Sequence, residues 1–137
     1  MFNLLRRLTV AFSLFLMPFA VAAAQSPETV AGAKTVTVDE AIELFDGGAA
    51  FVDVRKPSDF DAGRIPGAYH LDVKTALTQE ALAELAAPSD PIVFYCNGHS
   101  CLRSSKASEM AVSWGYTDVY YLRDGYPAWE AAGFPIE

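Results

Sequence analysis

Both cysteines of this 137-residue chain fall in one stretch, Ile92-Val93-Phe94-Tyr95-Cys96-Asn97-Gly98-His99-Ser100-Cys101-Leu102-Arg103-Ser104-Ser105-Lys106. An apolar run of strand character ends at Cys96. A short loop with Gly98 follows, and then a helical pattern that opens with Arg103 and Ser104. That order sets a thiol at the carboxyl end of a buried strand, against loop N–H groups and the positive end of a helix dipole. It is a place for a reactive thiolate.

A free thiol titrates near pH ~8.5, so only a few per cent is ionised at neutrality. Lowering that by about 1.5 units takes about 2 kcal/mol of preference for the anion. A helix N-terminus offers ~0.3–1 kcal/mol, or up to ~2 when partly buried. Loop amides wrapped tightly at Gly98 and the cation of Arg103 can supply the rest without a metal. Cys101 leaves three possibilities open: a structural disulfide with Cys96, a resolving thiol that displaces or traps oxidised sulfur on Cys96, or an unpaired thiol. His99 is the one imidazole of the loop. With His70 distant in sequence and a cysteine spacing unlike a zinc motif, no metal site and no cofactor are expected.

The ends and the composition bound the setting. Arg6 and Arg7 form a positive n-region, Leu8 to Val21 is an uncharged apolar stretch, and Ala22-Ala23-Ala24 before Gln25 fits a signal-peptidase site. Residues 1–24 are therefore expected to be a cleaved signal peptide, with the bacterial periplasm as destination and no membrane association after cleavage. That compartment is oxidising, which raises the prospect of a disulfide. Two of the ten Lys+Arg lie in the leader and none of the 17 Asp+Glu does, so the processed chain carries a formal charge of −9. Such a surface repels nucleic acid and anionic lipid, and an anionic ligand needs a local positive site.

Gln25 to Lys34 is small and polar and is expected to be a linker, followed by one domain over 35–137. Strand and helix signals then alternate. Strands are expected at 35–38, 50–54, 68–71, 92–95 and 119–122, and helices at 39–45 (capped by Asp39), 78–85, 104–114 and 128–132, with a helical turn at 57–62. Ala107, Met110, Ala111 and Trp114 recur at helical spacing, and these residues with Trp129 are expected to be core. The alternation predicts an α/β fold: an open, mostly parallel sheet with helices on both faces. Cys96 then falls at the carboxyl edge of the strands, where such sheets bind ligands.

Three segments in order carry a family resemblance. They are Phe51-Val52-Asp53-Val54-Arg55, then Phe60-Asp61-Ala62-Gly63-Arg64-Ile65-Pro66-Gly67-Ala68 (Arg64 where the pattern usually has His), then Gly115-Tyr116 through Asp124-Gly125-Tyr126-Pro127-Ala128-Trp129. With Cys96 at the active-loop position, the chain from about Thr35 onward resembles a single rhodanese (sulfurtransferase) domain. The resemblance implies a five-stranded sheet in order 1-5-4-2-3 with the first strand antiparallel, and an ion pair of Arg55 with Asp59 that, with Asp53, supports the loop. It implies transfer of sulfane sulfur through a Cys96 persulfide. Asn97, Gly98, His99, Ser100, Arg103 and Ser104 would bind the anionic sulfur group and Lys106 would help attract it. The expected partner is a small sulfur-containing anion or a thiol or persulfide carrier protein. The usual loop has four residues between its Cys and Arg; here six separate Cys96 from Arg103. Two other functions therefore stay open: a thiol–disulfide redox protein cycling Cys96 and Cys101, and a silent binding module with a permanent disulfide.

Overall fold

The computed structural model describes residues 17–22 and 24–137. Most of the expected signal peptide, residues 1–16 and 23, lies outside the described residues. Among the described residues no helix is long and apolar enough to cross a membrane.

Five strands, β1 (Ala33–Thr35), β2 (Ala50–Asp53), β3 (Tyr69–His70), β4 (Ile92–Tyr95) and β5 (Val119–Leu122), form one sheet in the order β1-β5-β4-β2-β3. Every pairing is parallel, β1 with β5 included, where Ala33 lies opposite Val119 and Thr35 opposite Tyr121. The strand order is the expected one; the antiparallel first strand is not observed. The reason is local. β1 delivers the chain to the carboxyl edge of the sheet, where helix α1 (Val38–Asp46) begins at once. Nine residues of helix run about 13 Å back to the opposite edge, where β2 must start. An antiparallel β1 would leave the chain at the wrong edge for that crossover.

The start of α1 also differs from expectation. Thr37, not Asp39, is the cap: the Glu40 amide donates to Thr37 Oγ1 at 3.2 Å, and the Thr37 amide donates back to Glu40 Oε2 at 2.8 Å. This reciprocal capping box outcompetes a lone Asp39 and ends β1 three residues early. Helices α2 (Pro57–Ala62), α3 (Gln79–Leu85), α4 (Arg103–Ser113) and α5 (Gly125–Ala131) complete the domain.

Period-2 alternation along β4 divides the core. Ile92, Phe94 and Cys96 face one layer with Val52, Leu82, Ala107 and Ala111. Val93 and Tyr95 face the other with Ala41, Phe51, Ile65, Leu122 and Trp129. Trp129 is fully buried, with Phe45, Phe51 and Phe134 edge-on to it at 5.1–5.8 Å between ring centroids. Burying both faces of β4 is what lets four consecutive apolar residues form a strand. Cys96 continues that alternation, so its side chain enters the α4 side of the sheet.

The stretch expected to be a linker is instead part of the domain. Ser26 and Val30 are buried, and Arg123, Tyr121 and Thr35 hydrogen-bond to the carbonyls of Ser26, Pro27 and Glu28. Its small polar residues suited a linker by composition, but their backbone carbonyls find side-chain donors from β1 and the end of β5.

Candidate active site

Cys96 follows β4 and Cys101 precedes α4, and the two form a disulfide across a Cα–Cα distance of 6.3 Å. Cys96 is only 1% exposed, whereas Cys101 is partly exposed. The intervening turn is built from the backbone. Gly98 takes a φ of +110°, open to glycine and strained for other residues, and its carbonyl accepts the Cys101 amide at 3.0 Å. Behind the turn, the Tyr126 amide donates to the Cys96 carbonyl at 2.8 Å. Gly125, at φ +70°, touches the loop so closely that a Cβ there would stand 2.5 Å from the Cys96 oxygen and 2.6 Å from the Gly98 nitrogen. The segment after β5 is therefore the floor of the loop.

The loop side chains are anchored as well. Asn97 donates to Asp59 Oδ2 at 2.9 Å and accepts from Arg55 Nη1 at 3.3 Å. His99 Nε2 lies 2.6 Å from Asp124 Oδ1, with both side chains half exposed. The Ser26 amide donates to the His99 carbonyl at 2.6 Å.

Arg55 pairs with Asp53 rather than with Asp59, as a two-nitrogen fork: Nε to Oδ1 at 3.0 Å and Nη2 to Oδ2 at 2.6 Å, with both residues buried. Asp59 is joined to Arg55 by hydrogen bonds through Asn97 and acts on it directly by its charge alone. Asp53 wins because it ends β2 two residues from Arg55, inside the core, where an unpaired carboxylate is costly. Burial alone would lower the Arg55 pKa, but the hydrogen-bonded Asp53 carboxylate outweighs it and the net shift is upward. Arg55 also donates to the Gly63 carbonyl at 2.6 Å and stacks 4.5 Å from the Tyr126 ring centroid. Tyr95, fully buried, accepts the Ile65 amide at 3.2 Å. Burial, joined by the charge of Asp53, pushes its hydroxyl above the ordinary phenol range, so it stays neutral.

Arg103 is the first residue of α4, and its Nη1 donates to Asp72 Oδ1 at 2.6 Å and to the Val54 carbonyl at 3.4 Å. Burial works to raise the Asp72 pKa, but the Lys74 amide and Arg103 reverse it, and the carboxyl is held below its ordinary value. Ser104 is buried, and its carbonyl accepts the Ser108 hydroxyl. Ser100 and Lys106 are exposed. Lys106 and Lys74 flank a groove of about 500 Å³ with Val73, Leu102, Arg103 and Met110.

The structure thus brings Cys96, Cys101, Asn97, Gly98, His99 and Arg103 to one edge of the sheet, with Asp53, Arg55 and Asp59 beneath. Sequence reasoning missed Asp72, Asp124, Gly125 and Ser26. Asp124-Gly125 carried a usable signal, an acidic residue and a glycine just past a strand at the ligand-binding edge. Ser26 carried none, because its partner lies 97 residues away at Arg123.

A thiol loop on a parallel five-stranded sheet of this order defines the class. Residues 37–132 match the rhodanese-like domain family, and the chain belongs to it. It is 34% identical over 105 residues to a thiosulfate sulfurtransferase of Pseudomonas putida, covering 76% of this chain and 90% of that protein. Its fold is similar to a human single-domain sulfurtransferase, at 28% identity and a TM-score of 0.61, over 72% of this chain and 96% of that one. It is also similar to a protein of unknown function, described as a possible tyrosine phosphatase, from Rhodopseudomonas palustris. That match has 32% identity and a TM-score of 0.59, over 77% and 85% of the two chains.

Proposed function

We propose that this chain is an exported sulfurtransferase that carries sulfane sulfur on Cys96, with Cys101 as its resolving thiol. The observation that carries the reading is the position of Cys96: it ends β4 at the ligand-binding edge, in a loop fixed by Gly125 and Asp124. The family membership supports sulfur transfer. The thiosulfate named for the Pseudomonas relative makes that dianion the first donor to test.

The cycle starts by reduction of the Cys96–Cys101 disulfide by an external dithiol, which leaves oxidised. The Cys96 thiolate attacks the outer sulfur of thiosulfate, the S–S bond of the donor breaks, and sulfite departs with the electron pair. Cys96 then holds an anionic persulfide. An acceptor thiolate takes the terminal sulfur and returns Cys96 to the thiolate. In the absence of an acceptor, Cys101 attacks the inner sulfur, expels hydrosulfide and restores the disulfide. Lys106 and Lys74, beside the loop in an otherwise acidic chain, supply the local positive field that draws the anion, while Arg103 is held by Asp72.

The disulfide itself favours a second reading, a dithiol–disulfide relay without sulfur transfer. A single-turnover experiment separates the two. The reduced protein mixed with thiosulfate gains the mass of one sulfur atom, Cys96→Ser abolishes that gain, and Cys101→Ser prolongs its lifetime. No mass gain on a protein that still cycles its disulfide would select the relay.

A further inference from the structure

The segment upstream of the rhodanese-like domain carries a polar interaction with the loop that the family match does not cover. Residues 37–132 are matched; Ser26 lies eleven positions before that start, yet is only 3% exposed. Its amide donates to the His99 carbonyl at 2.6 Å, within the interval closed by the disulfide. Its own carbonyl accepts from Arg123 Nη2 at 2.7 Å, and its hydroxyl accepts from Arg123 Nε at 3.3 Å. The next carbonyl, Pro27, accepts the Tyr121 hydroxyl at 3.0 Å. Adjacent residues after β5 therefore hold His99 from two sides. Asp124 takes the imidazole directly, and Arg123 takes the backbone carbonyl through Ser26.

We propose that Ser26, fixed by Arg123, is a positioning residue for the Cys96–Cys101 loop. The contact restricts the middle of the loop while both its ends are already anchored by β4 and α4. A loop so restricted has fewer conformations to lose when the two sulfurs meet, so the restraint favours the disulfide over the dithiol. It also holds Cys96 in one arrangement for attack on a sulfur donor. Nothing in Ser26 touches the reacting atoms; its effect passes through His99.

This rests on the reading of Cys96 and Cys101 as the reactive pair, and the test is made on the disulfide itself, so it does not depend on any sulfurtransferase activity. Ser26→Pro deletes the amide donor together with the hydroxyl, and Ser26→Ala deletes the hydroxyl alone, so the difference between the two isolates the amide. The equilibrium of the purified protein with a glutathione redox buffer is measured for both, with unfolding midpoints of the reduced forms as a check on integrity. A neutral hydrogen bond of this kind corresponds to roughly a 2- to 12-fold change in an equilibrium constant. Ser26→Pro is expected to weaken the disulfide about fivefold, a rise in potential of about 20 mV, while Ser26→Ala stays within twofold of the parent. Arg123→Gln, which loosens the holder and leaves the donor, is expected to fall between them and covers the case in which Ser26→Pro does not fold. Equal constants for parent, Ser26→Pro and Arg123→Gln would overturn the proposal. Equal weakening in Ser26→Pro and Ser26→Ala would overturn it too, because the amide would not be the cause.

Discussion

Gly125 offers the sharpest test of how the loop is shaped. Replacing it with alanine has two separable costs. The first is conformational: φ is +70°, where an L-residue is disfavoured by about 1–2 kcal/mol. The second is steric: the new Cβ would stand 2.5 Å from the Cys96 oxygen and 2.6 Å from the Gly98 nitrogen. Both neighbours are backbone, so no side chain can swing aside. Comfortable separations are ~3.5 Å or more, and the loop must retreat by roughly 1 Å. Overpacking of that kind adds about 1–3 kcal/mol. Gly48 supplies the control, since its φ is +84° and nothing lies within 4 Å of its Cβ direction. Gly48→Ala therefore carries the first cost alone. In urea titrations Gly125→Ala should lose about 3 kcal/mol and Gly48→Ala about 1 kcal/mol. A displacement of about 1 Å at a reacting centre costs on the order of a hundredfold in rate. The proposed sulfur transfer from thiosulfate to a thiol should fall by that factor in Gly125→Ala and stay near the parent in Gly48→Ala. A Gly125→Ala protein that is no less stable than the Gly48→Ala control, and turns over within twofold of the parent, would refute the role assigned to this floor.

Arg55→Met should destabilise the protein by about 3–5 kcal/mol in chemical denaturation, because it strands the fully buried Asp53 carboxylate; adding Asp53→Asn should recover part of that loss. Asp72 gives a pH signature whose sign follows from its lowered pKa. The folded state holds its proton less tightly than the unfolded state, so its contribution is complete above the unfolded value of about 3.9 and is lost as pH falls through the lower folded value. Asp72→Asn should therefore be less stable than the parent by about 1 kcal/mol at pH 7, with the gap closing at acid pH as both are unfolded by urea; a gap that stays constant down to the lowest pH would contradict the pairing with Arg103.

The elements that bury two faces were legible in the sequence. Ile92 to Tyr95 carries the signature of a strand covered on both faces, and Ala107, Met110, Ala111 and Trp114 that of one helix face, of which Ala107 and Ala111 are buried and Met110 and Trp114 partly so. The strand order came from the resemblance, and it is the one observed. What failed was decided by partners distant in sequence or by local competition. Asp39 looked like a cap because a lone acidic residue before an apolar run usually is one; the Thr37–Glu40 box displaced it. Arg55 was expected to reach Asp59, yet the shorter route to Asp53 needs no loop and leaves no buried charge unpaired. The direction of β1 was carried over from the resemblance, and the crossover through α1 overrode it. Ser26 was invisible for a plainer reason: a backbone amide has no side-chain signature.

A cross-link between residues only five apart in sequence removes little freedom from the unfolded chain, about 2 kcal/mol in the loop-entropy account. The same loop is held by the Gly98–Cys101 turn, by Asn97 on Asp59, by His99 on Asp124, by the Ser26 amide and by the Tyr126 amide. At roughly 0.5–1.5 kcal/mol each, those five bonds together exceed the disulfide. On the proposed reading, these bonds keep the loop in shape when the S–S bond opens. That comparison favours the proposed reading, in which the bridge opens and closes. The same comparison explains why burial of Cys96 does not argue against reaction. Cys101 is the less buried end of the bond, so in the proposed cycle the incoming thiolate attacks that sulfur and Cys96 leaves as the thiolate.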